Sequence, residues 1–119
     1  MPLVRVDMIK GKTPEYKKTV LNCIHEGLMD SIKIEDWDRF QRIIEIPRED
    51  FETAPGKTDN FIIIELTLFP GRTNQQKGAA IKAITSRLEN SLGIAPTDVF
   101  IVINEPPFEN WGMGGVQKG

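Results

Sequence analysis

Sliding the 119-residue chain against itself by 60 places superposes two copies of one pattern. Gly11 falls on Gly71, Thr13 on Thr73, Lys17 on Lys77, Ile24 on Ile84 and Leu28 on Leu88. The match continues with Ser31 on Ser91, Ile34 on Ile94, Asp38 on Asp98, Phe40 on Phe100, Glu45 on Glu105 and Pro47 on Pro107, and Lys12 faces Arg72 as a conservative pair. Such a duplication constrains the fold strongly, because what one copy forms the other forms too, and two copies make a pseudo-symmetric unit rather than a solenoid. The repeats span residues 2–47 and 62–107 of a single domain covering 1–119, with a tail at 108–119.

Each copy reads as strand, helix, strand. Apolar Leu3 to Ile9 is strand-like and Gly11 breaks it, after which Thr13-Pro14 supplies an N-cap and a proline at the first helical position. Val20, Ile24, Leu28 and Ile32 recur every fourth residue as one apolar helix stripe, and Arg39 to Ile46 returns as a strand that Pro47 ends. In the second copy Phe61 to Phe69 is a nearly continuous apolar strand of the buried kind. Thr73 and Gln76 make a capping box, Ile81, Ile84, Leu88 and Leu92 form the stripe, Gly93 closes the helix, and Val99 to Ile103 is the last strand. The connection Arg48 to Asn60, with Pro55-Gly56, reads as a polar surface loop.

Short turns inside each unit demand right-handed crossovers and parallel strand pairs. The expected fold class is therefore α/β, an α+β sandwich in which two fused β-α-β repeats form a four-stranded sheet with two helices on one face. Phe61–Phe69 and Val99–Ile103 hardly alternate, so the opposite sheet face is expected to be apolar and to be covered by oligomerisation.

Charge and composition narrow the partners. Lys and Arg number 15 against 17 Asp and Glu, a net charge of −2, which points away from nucleic acid and polybasic membrane binding and toward small molecules or other subunits. One cysteine, Cys23, excludes an internal disulfide framework and fits a reducing compartment. No apolar run approaches the roughly 20 residues of a membrane span, and Met1 to Lys12 lacks the pattern of a signal peptide. A cytoplasmic location is the expectation.

Several residues carry possible chemistry. Pro2 follows Met1, and removal of Met1 leaves a secondary amine; free α-amino groups titrate at about 7.7 to 8.0, suited to proton transfer near neutrality. Asp38 begins a strand beside Asp36 and Arg39, where a carboxylate either caps a turn or holds a water and a substrate; its spacing favours the cap. Arg72 precedes a helix, placed to hold a carboxylate in bidentate fashion or simply to be solvated. Trp37 reads as a loop anchor. Cys23 and His25 stand two apart on a helix and cannot face one metal, and with no second histidine no metal site is expected. Lys10-Gly11-Lys12-Thr13 ends like a phosphate-binding loop, but the required upstream glycine falls on Val6. Trp111 and Phe108, in a glycine-rich tail, carry too much apolar area for a free tail and suggest a short hairpin packed on a neighbour.

Pro2, the Gly71-Arg72-Thr73 segment with Gln76-Lys77, and Asn110-Trp111-Gly112-Met113-Gly114-Gly115 together resemble the tautomerase superfamily, over essentially the whole chain. Short members, such as 4-oxalocrotonate tautomerase, consist of one strand-helix-strand unit, and longer ones fuse two. His25, Met29-Asp30 and Asp38-Arg39-Phe40-Gln41 are most similar to the malonate semialdehyde decarboxylase branch. The resemblance implies Pro2 as the proton-handling group on the floor of a pocket in a homotrimer. It implies Asp38 as the acid that positions water or substrate, Arg72 as the carboxylate-binding arginine, and Trp111 as a pocket aromatic, with Phe40 as a further substrate contact. Two departures stand out: Pro70 fills the place of the decarboxylase's second arginine, and Phe40 that of an arginine in the short tautomerases.

The function expected is keto-enol tautomerisation of a small 2-oxo acid, with Pro2, Asp38 and Arg72 as the catalytic set and no metal or organic cofactor. The alternatives are decarboxylation or hydration of a 3-oxo or unsaturated acid, and a non-catalytic trimeric binding protein that keeps the fold.

Overall fold

A computed structural model covering residues 1–119 shows the two repeats as one layer of sheet under one layer of helices. The first repeat is β1 (Leu3–Ile9), α1 (Pro14–Ile32) and β2 (Phe40–Ile46); the second is β3 (Ile62–Thr67), α2 (Asn74–Leu92) and β4 (Val99–Asn104). Sheet order is β2-β1-β3-β4, with each repeat's own strands parallel and β1 antiparallel to β3 at the centre. That arrangement is the two-fold pseudo-symmetry expected of a fused duplication. A small hairpin, β5 (Gly112–Met113) and β6 (Val116–Gln117), closes the chain. Its two-residue turn is Gly114-Gly115, both at positive φ, the backbone region that glycine enters without a steric penalty.

Helix ends follow the local chemistry. Thr13 Oγ1 accepts from the Tyr16 N–H at 3.1 Å. Thr73 and Gln76 form a reciprocal capping box, and Gly93 ends α2 in the left-handed region. The core lies between the layers: Val4, Val6 and Met8 of β1 and Ile62, Ile64 and Leu66 of β3 meet Val20, Ile24 and Leu28 of α1 and Ala80, Ile84 and Leu88 of α2. The helices approach closely at Gly27, where a Cβ would stand 2.8 Å from Ile84 Cγ1. No helix is long and apolar enough to cross a membrane.

Four details depart from the sequence reading. Ile81 is 40% exposed, and Ala80 takes the inward place one turn before Ile84, because at 3.6 residues per turn positions 80, 84 and 88 share the buried face. β3 alternates strictly between buried and half-buried positions, so Ile63, Glu65 and Thr67 face outward. The outer sheet face is therefore mixed, with Phe40, Ile44, Phe100 and Val102 exposed among charged side chains of β1–β3. Trp37 is 71% exposed and anchors nothing within the chain. The 48–60 connection is pinned by buried Phe51, which packs with Ile9 and Phe61, its ring edge-on to Phe61 at 5.8 Å.

Candidate functional site

Strand register brings three segments to one end of the sheet. Leu3 pairs with Phe40 at the start of β2 and with Thr67 at the end of β3. The chain amino terminus, the loop before β2 and the loop after β3 thus converge, and these carry Pro2, Asp38 and Arg72. The tail reaches the same end. A 3-10 turn at Phe108–Asn110 delivers Trp111, whose Nε1 donates to the Pro106 carbonyl at 3.1 Å and whose ring lies edge-on to Phe69 at 4.7 Å. The Lys118 N–H donates to the Trp111 carbonyl at 2.8 Å, tying the hairpin to it. Trp111 is 7% exposed, buried by its own chain, whereas the sequence suggested a tail packed on a neighbour.

Met1, Leu3, Phe40, Trp111, Gly112 and Met113 line an open cavity of about 340 Å3. Its wall is apolar, and the Met1 amine stands 3.3 Å from Asp38 Oδ2. Pro2 is buried directly behind Met1. Asp38 caps no turn, contrary to its spacing: its loop is held by other groups. The Asp38 N–H donates to the Glu35 carbonyl at 3.1 Å, Arg39 Nη2 donates to Asn22 Oδ1 at 2.8 Å, and Gln41 Nε2 donates to the Leu21 carbonyl at 3.0 Å. The Asp38 carboxylate is thereby left for the amino terminus, and its Oδ1 is buried with no hydrogen-bond partner. A buried acceptor without a partner is costly, and such atoms concentrate where a water or ligand is held.

Arg72 does not line the cavity. Its Nη1 donates to the Phe69 carbonyl at 3.3 Å, which anchors the guanidinium on the residue whose ring backs Trp111. No carboxylate stands within ion-pair distance of it. Of the five residues singled out in the sequence, Phe40 and Trp111 are in the wall, Pro2 and Asp38 lie immediately behind it, and Arg72 sits beside it. Leu3, Gly112, Met113 and the backing ring Phe69 were missed. The register of β1 against its neighbours would have found Leu3 and Phe69, since both adjoin the amino terminus.

The duplication supplies an internal control. At the 60-residue offset, Asp98 answers to Asp38, Phe61 to Met1, Phe51 to Trp111, Phe100 to Phe40 and Lys12 to Arg72. Phe51 even follows a 3-10 turn, as Trp111 does. That copy is filled: the Phe61 ring packs at 5.8 Å from Phe51 and 5.0 Å from Phe100. Asp98 is consumed in structure, accepting from Thr58 N at 3.0 Å and Thr58 Oγ1 at 2.5 Å. Lys12 is engaged with Asn60 Oδ1 and lies over the Tyr16 ring. Only the end at the amino terminus keeps an open cavity beside a carboxylate not spent on its own loop.

The remaining chemistry-bearing residues lie elsewhere. Burial pushes the Cys23 thiol up from its ordinary range, and Sγ contacts the Arg87 carbonyl at 3.5 Å. His25 is buried on α1 with Nε2 3.6 Å from Asp36 Oδ1. Neither joins a group of three metal-ligating side chains.

Comparison with known proteins agrees with this geometry. Two family models, each described as tautomerase enzyme, match residues 2–55 and 38–114. The chain is 30% identical to the probable tautomerase YusQ of Bacillus subtilis (strain 168), over 96% of this chain and 94% of that one. Among solved structures, FG41 malonate semialdehyde decarboxylase inhibited by 3-bromopropiolate superposes with a TM-score of 0.85 at 28% identity, covering 94% of this chain and 88% of that one. A fused 4-OT asymmetric trimer superposes with a TM-score of 0.87 at 21% identity, covering 98% and 95%, which speaks to the fold alone. By sequence over nearly its whole length, and by a fold of two fused strand-helix-strand units, this chain belongs to the tautomerase family.

Proposed function

We propose that the protein is a cofactor-independent keto-enol tautomerase of a small 2-oxo acid, working through the amine of Pro2 once Met1 is removed. The observation that carries the reading is where the chain begins: Pro2 is buried directly behind Met1, which lines an apolar cavity and whose amine stands 3.3 Å from the Asp38 carboxylate. Removal of Met1 takes away one wall residue and puts the Pro2 nitrogen at the cavity floor. A secondary amine carries one lone pair, which takes up a proton as a base and returns it as an acid.

In the ketonising direction the neutral amine takes the enol hydroxyl proton as electron density moves toward C3, and the resulting ammonium delivers that proton to C3. The net change is one proton moved from oxygen to carbon. Arg72, freed from a single backbone bond, holds the substrate carboxylate and stabilises enolate charge. Asp38 orients the hydroxyl or a water through Oδ1, and Trp111 and Phe40 keep the site dry. A homotrimer covers the exposed Phe40, Ile44, Phe100 and Val102 of the outer sheet face, and the fused 4-OT fold neighbour is itself a trimer.

A second reading is hydration or decarboxylation of an unsaturated or 3-oxo acid, favoured by the partnerless Asp38 Oδ1 as a seat for an attacking water and by the decarboxylase neighbour. It requires a protonated Pro2. The test is the intact mass of untagged protein with turnover of phenylenolpyruvate by wild type and Pro2→Ala. Loss of Met1 and a collapse of ketonisation in the variant support the tautomerase; retained Met1, or equal rates, sinks it. Carbon dioxide release or hydrated product from a 3-oxo or acetylenic acid, without ketonisation, selects the second reading.

A further inference from the structure

We infer that Pro70 is a positioning residue for Trp111: lacking an N–H, it leaves the Pro106 carbonyl to the indole and so sets the cavity wall. The inference rests on the tautomerase reading only for what that wall serves. In a parallel pair of strands every second residue donates to the neighbouring strand. In the first half of the chain this series runs to the Lys10 N–H, which donates to the Ile46 carbonyl at 2.8 Å. In the second half it stops at the Leu68 N–H, which donates to the Asn104 carbonyl at 2.8 Å. The next donor would come from residue 70, which answers to Lys10 at the 60-residue offset, and its target would be Pro106, which answers to Ile46. Proline has no N–H to give.

The Pro106 carbonyl accepts instead from Trp111 Nε1 at 3.1 Å. The aromatic residues of the two halves differ to match. Phe51, the counterpart of Trp111, has no side-chain donor, and at its end of the sheet Lys10 supplies the bond from the backbone. At one end the donor is a strand N–H beside a Phe; at the other it is an indole beside a Pro. A part-buried carbonyl left without a partner is costly, and that cost holds the indole in place. Neighbouring contacts fix its orientation. The ring of Phe69, immediately before Pro70, lies edge-on to Trp111 at 4.7 Å, and the Lys118 N–H donates to the Trp111 carbonyl at 2.8 Å. An N–H restored at position 70 would satisfy the Pro106 carbonyl without the indole, and the Trp111 side chain would lose the advantage of its only polar bond.

Two measurements on the untagged full chain test this. The first is a double-mutant cycle by urea unfolding of wild type, Pro70→Ala, Trp111→Phe and the pair. Trp111→Phe keeps an aromatic ring and deletes the N–H. It should lower the folding constant about fivefold more in the Pro70 chain than in Pro70→Ala, the scale of one neutral hydrogen bond. Whatever Pro70→Ala does to the unfolded chain is common to both arms and cancels. The second measurement reads the site in a Trp37→Phe background, where Trp111 is the one tryptophan. There Pro70→Ala should expose Trp111 fluorescence to acrylamide quenching. It should also raise KM for phenylenolpyruvate about fivefold with kcat within about twofold, as for a wall that binds ground state and transition state alike. An additive cycle, unchanged quenching or an unmoved KM overturns the inference. A wild-type protein that ketonises no 2-oxo acid overturns the tautomerase reading alone, because the cycle and the quenching need no substrate.

Discussion

Asp38 and Asp98 occupy the same place in the two repeats, and the same substitution should affect them in opposite ways. Asp98, 1% exposed, accepts from both the backbone and the hydroxyl of Thr58 and holds the 48–60 connection against β4. Hydrogen bonds to a charged acceptor contribute ~1.5–3 kcal/mol each. Asp98→Asn keeps one acceptor oxygen and turns an amide donor toward the other Thr58 donor, so the net loss is about 2–3 kcal/mol. For a chain of this size that lowers the melting temperature by roughly 10 °C. Turnover should stay within about threefold of wild type, because the site is at the opposite end of the sheet. Asp38→Asn should do the reverse. Its one charge partner is the Met1 amine at 3.3 Å, a partly exposed pair contributing about 0–1 kcal/mol and absent once Met1 is removed, and Oδ1 has no partner to lose. Stability should therefore change by less than ~1 kcal/mol, while turnover falls ~100-fold as a proton-orienting group is lost. Urea unfolding and steady-state kinetics on both variants decide it. If Asp38→Asn unfolds as readily as Asp98→Asn, or Asp98→Asn loses activity while remaining stable, the division between a structural and a functional aspartate is wrong.

Gly27→Ala puts a methyl 2.8 Å from Ile84 Cγ1 and 3.1 Å from the Ile84 nitrogen, so overpacking of ~1–3 kcal/mol outweighs the gain of up to ~1 kcal/mol in helix propensity; denaturant unfolding should show a net loss. Alkaline pH should destabilise the fold. The Cys23 thiol and Tyr16 hydroxyl are both raised above their ordinary values by burial, Tyr16 also by the Asp98 charge. Above pH ~9 the unfolded chain releases these protons first, the folded chain holds them, and stability falls as pH rises. Cys23→Ala and Tyr16→Phe should each flatten that decline in a pH series of unfolding curves, and an unchanged slope in both would refute it. Arg72→Lys should raise KM for a 2-oxo acid with a loss of ~10–100-fold in kcat/KM, because an ammonium replaces a bidentate fork; an unchanged KM removes Arg72 from carboxylate binding.

Much of this molecule was legible in the order of its residues, because the governing signals are local or repeated. Thr13, Thr73, Gln76 and Gly93 mark helix ends through bonds made within four residues, and the four-residue recurrence of Val20, Ile24, Leu28 and Ile32 names a buried face without a partner in view. The 60-residue repeat adds that the partner is a second copy of the same unit. Family motifs at Pro2, Arg72 and Trp111 point to one end of the chain's own sheet. What the repeat cannot reveal is how its copies diverge. Asp38 and Asp98 look alike in sequence, yet whether Thr58 lies within 3 Å of the carboxylate depends on a loop that folds back across the sheet. Phe61 fills one cavity and Met1 borders an open one for the same reason: the antiparallel register of β1 on β3 and the packing of Phe51 and Trp111 decide which side chains meet. Phe51 on Phe61 excepted, these contacts join residues about forty or more positions apart, and no local preference specifies them. Local hydrogen bonding and periodicity thus determined the elements and their pairing into halves, whereas long-range packing alone decided that one half keeps an open cavity and the other closes its own.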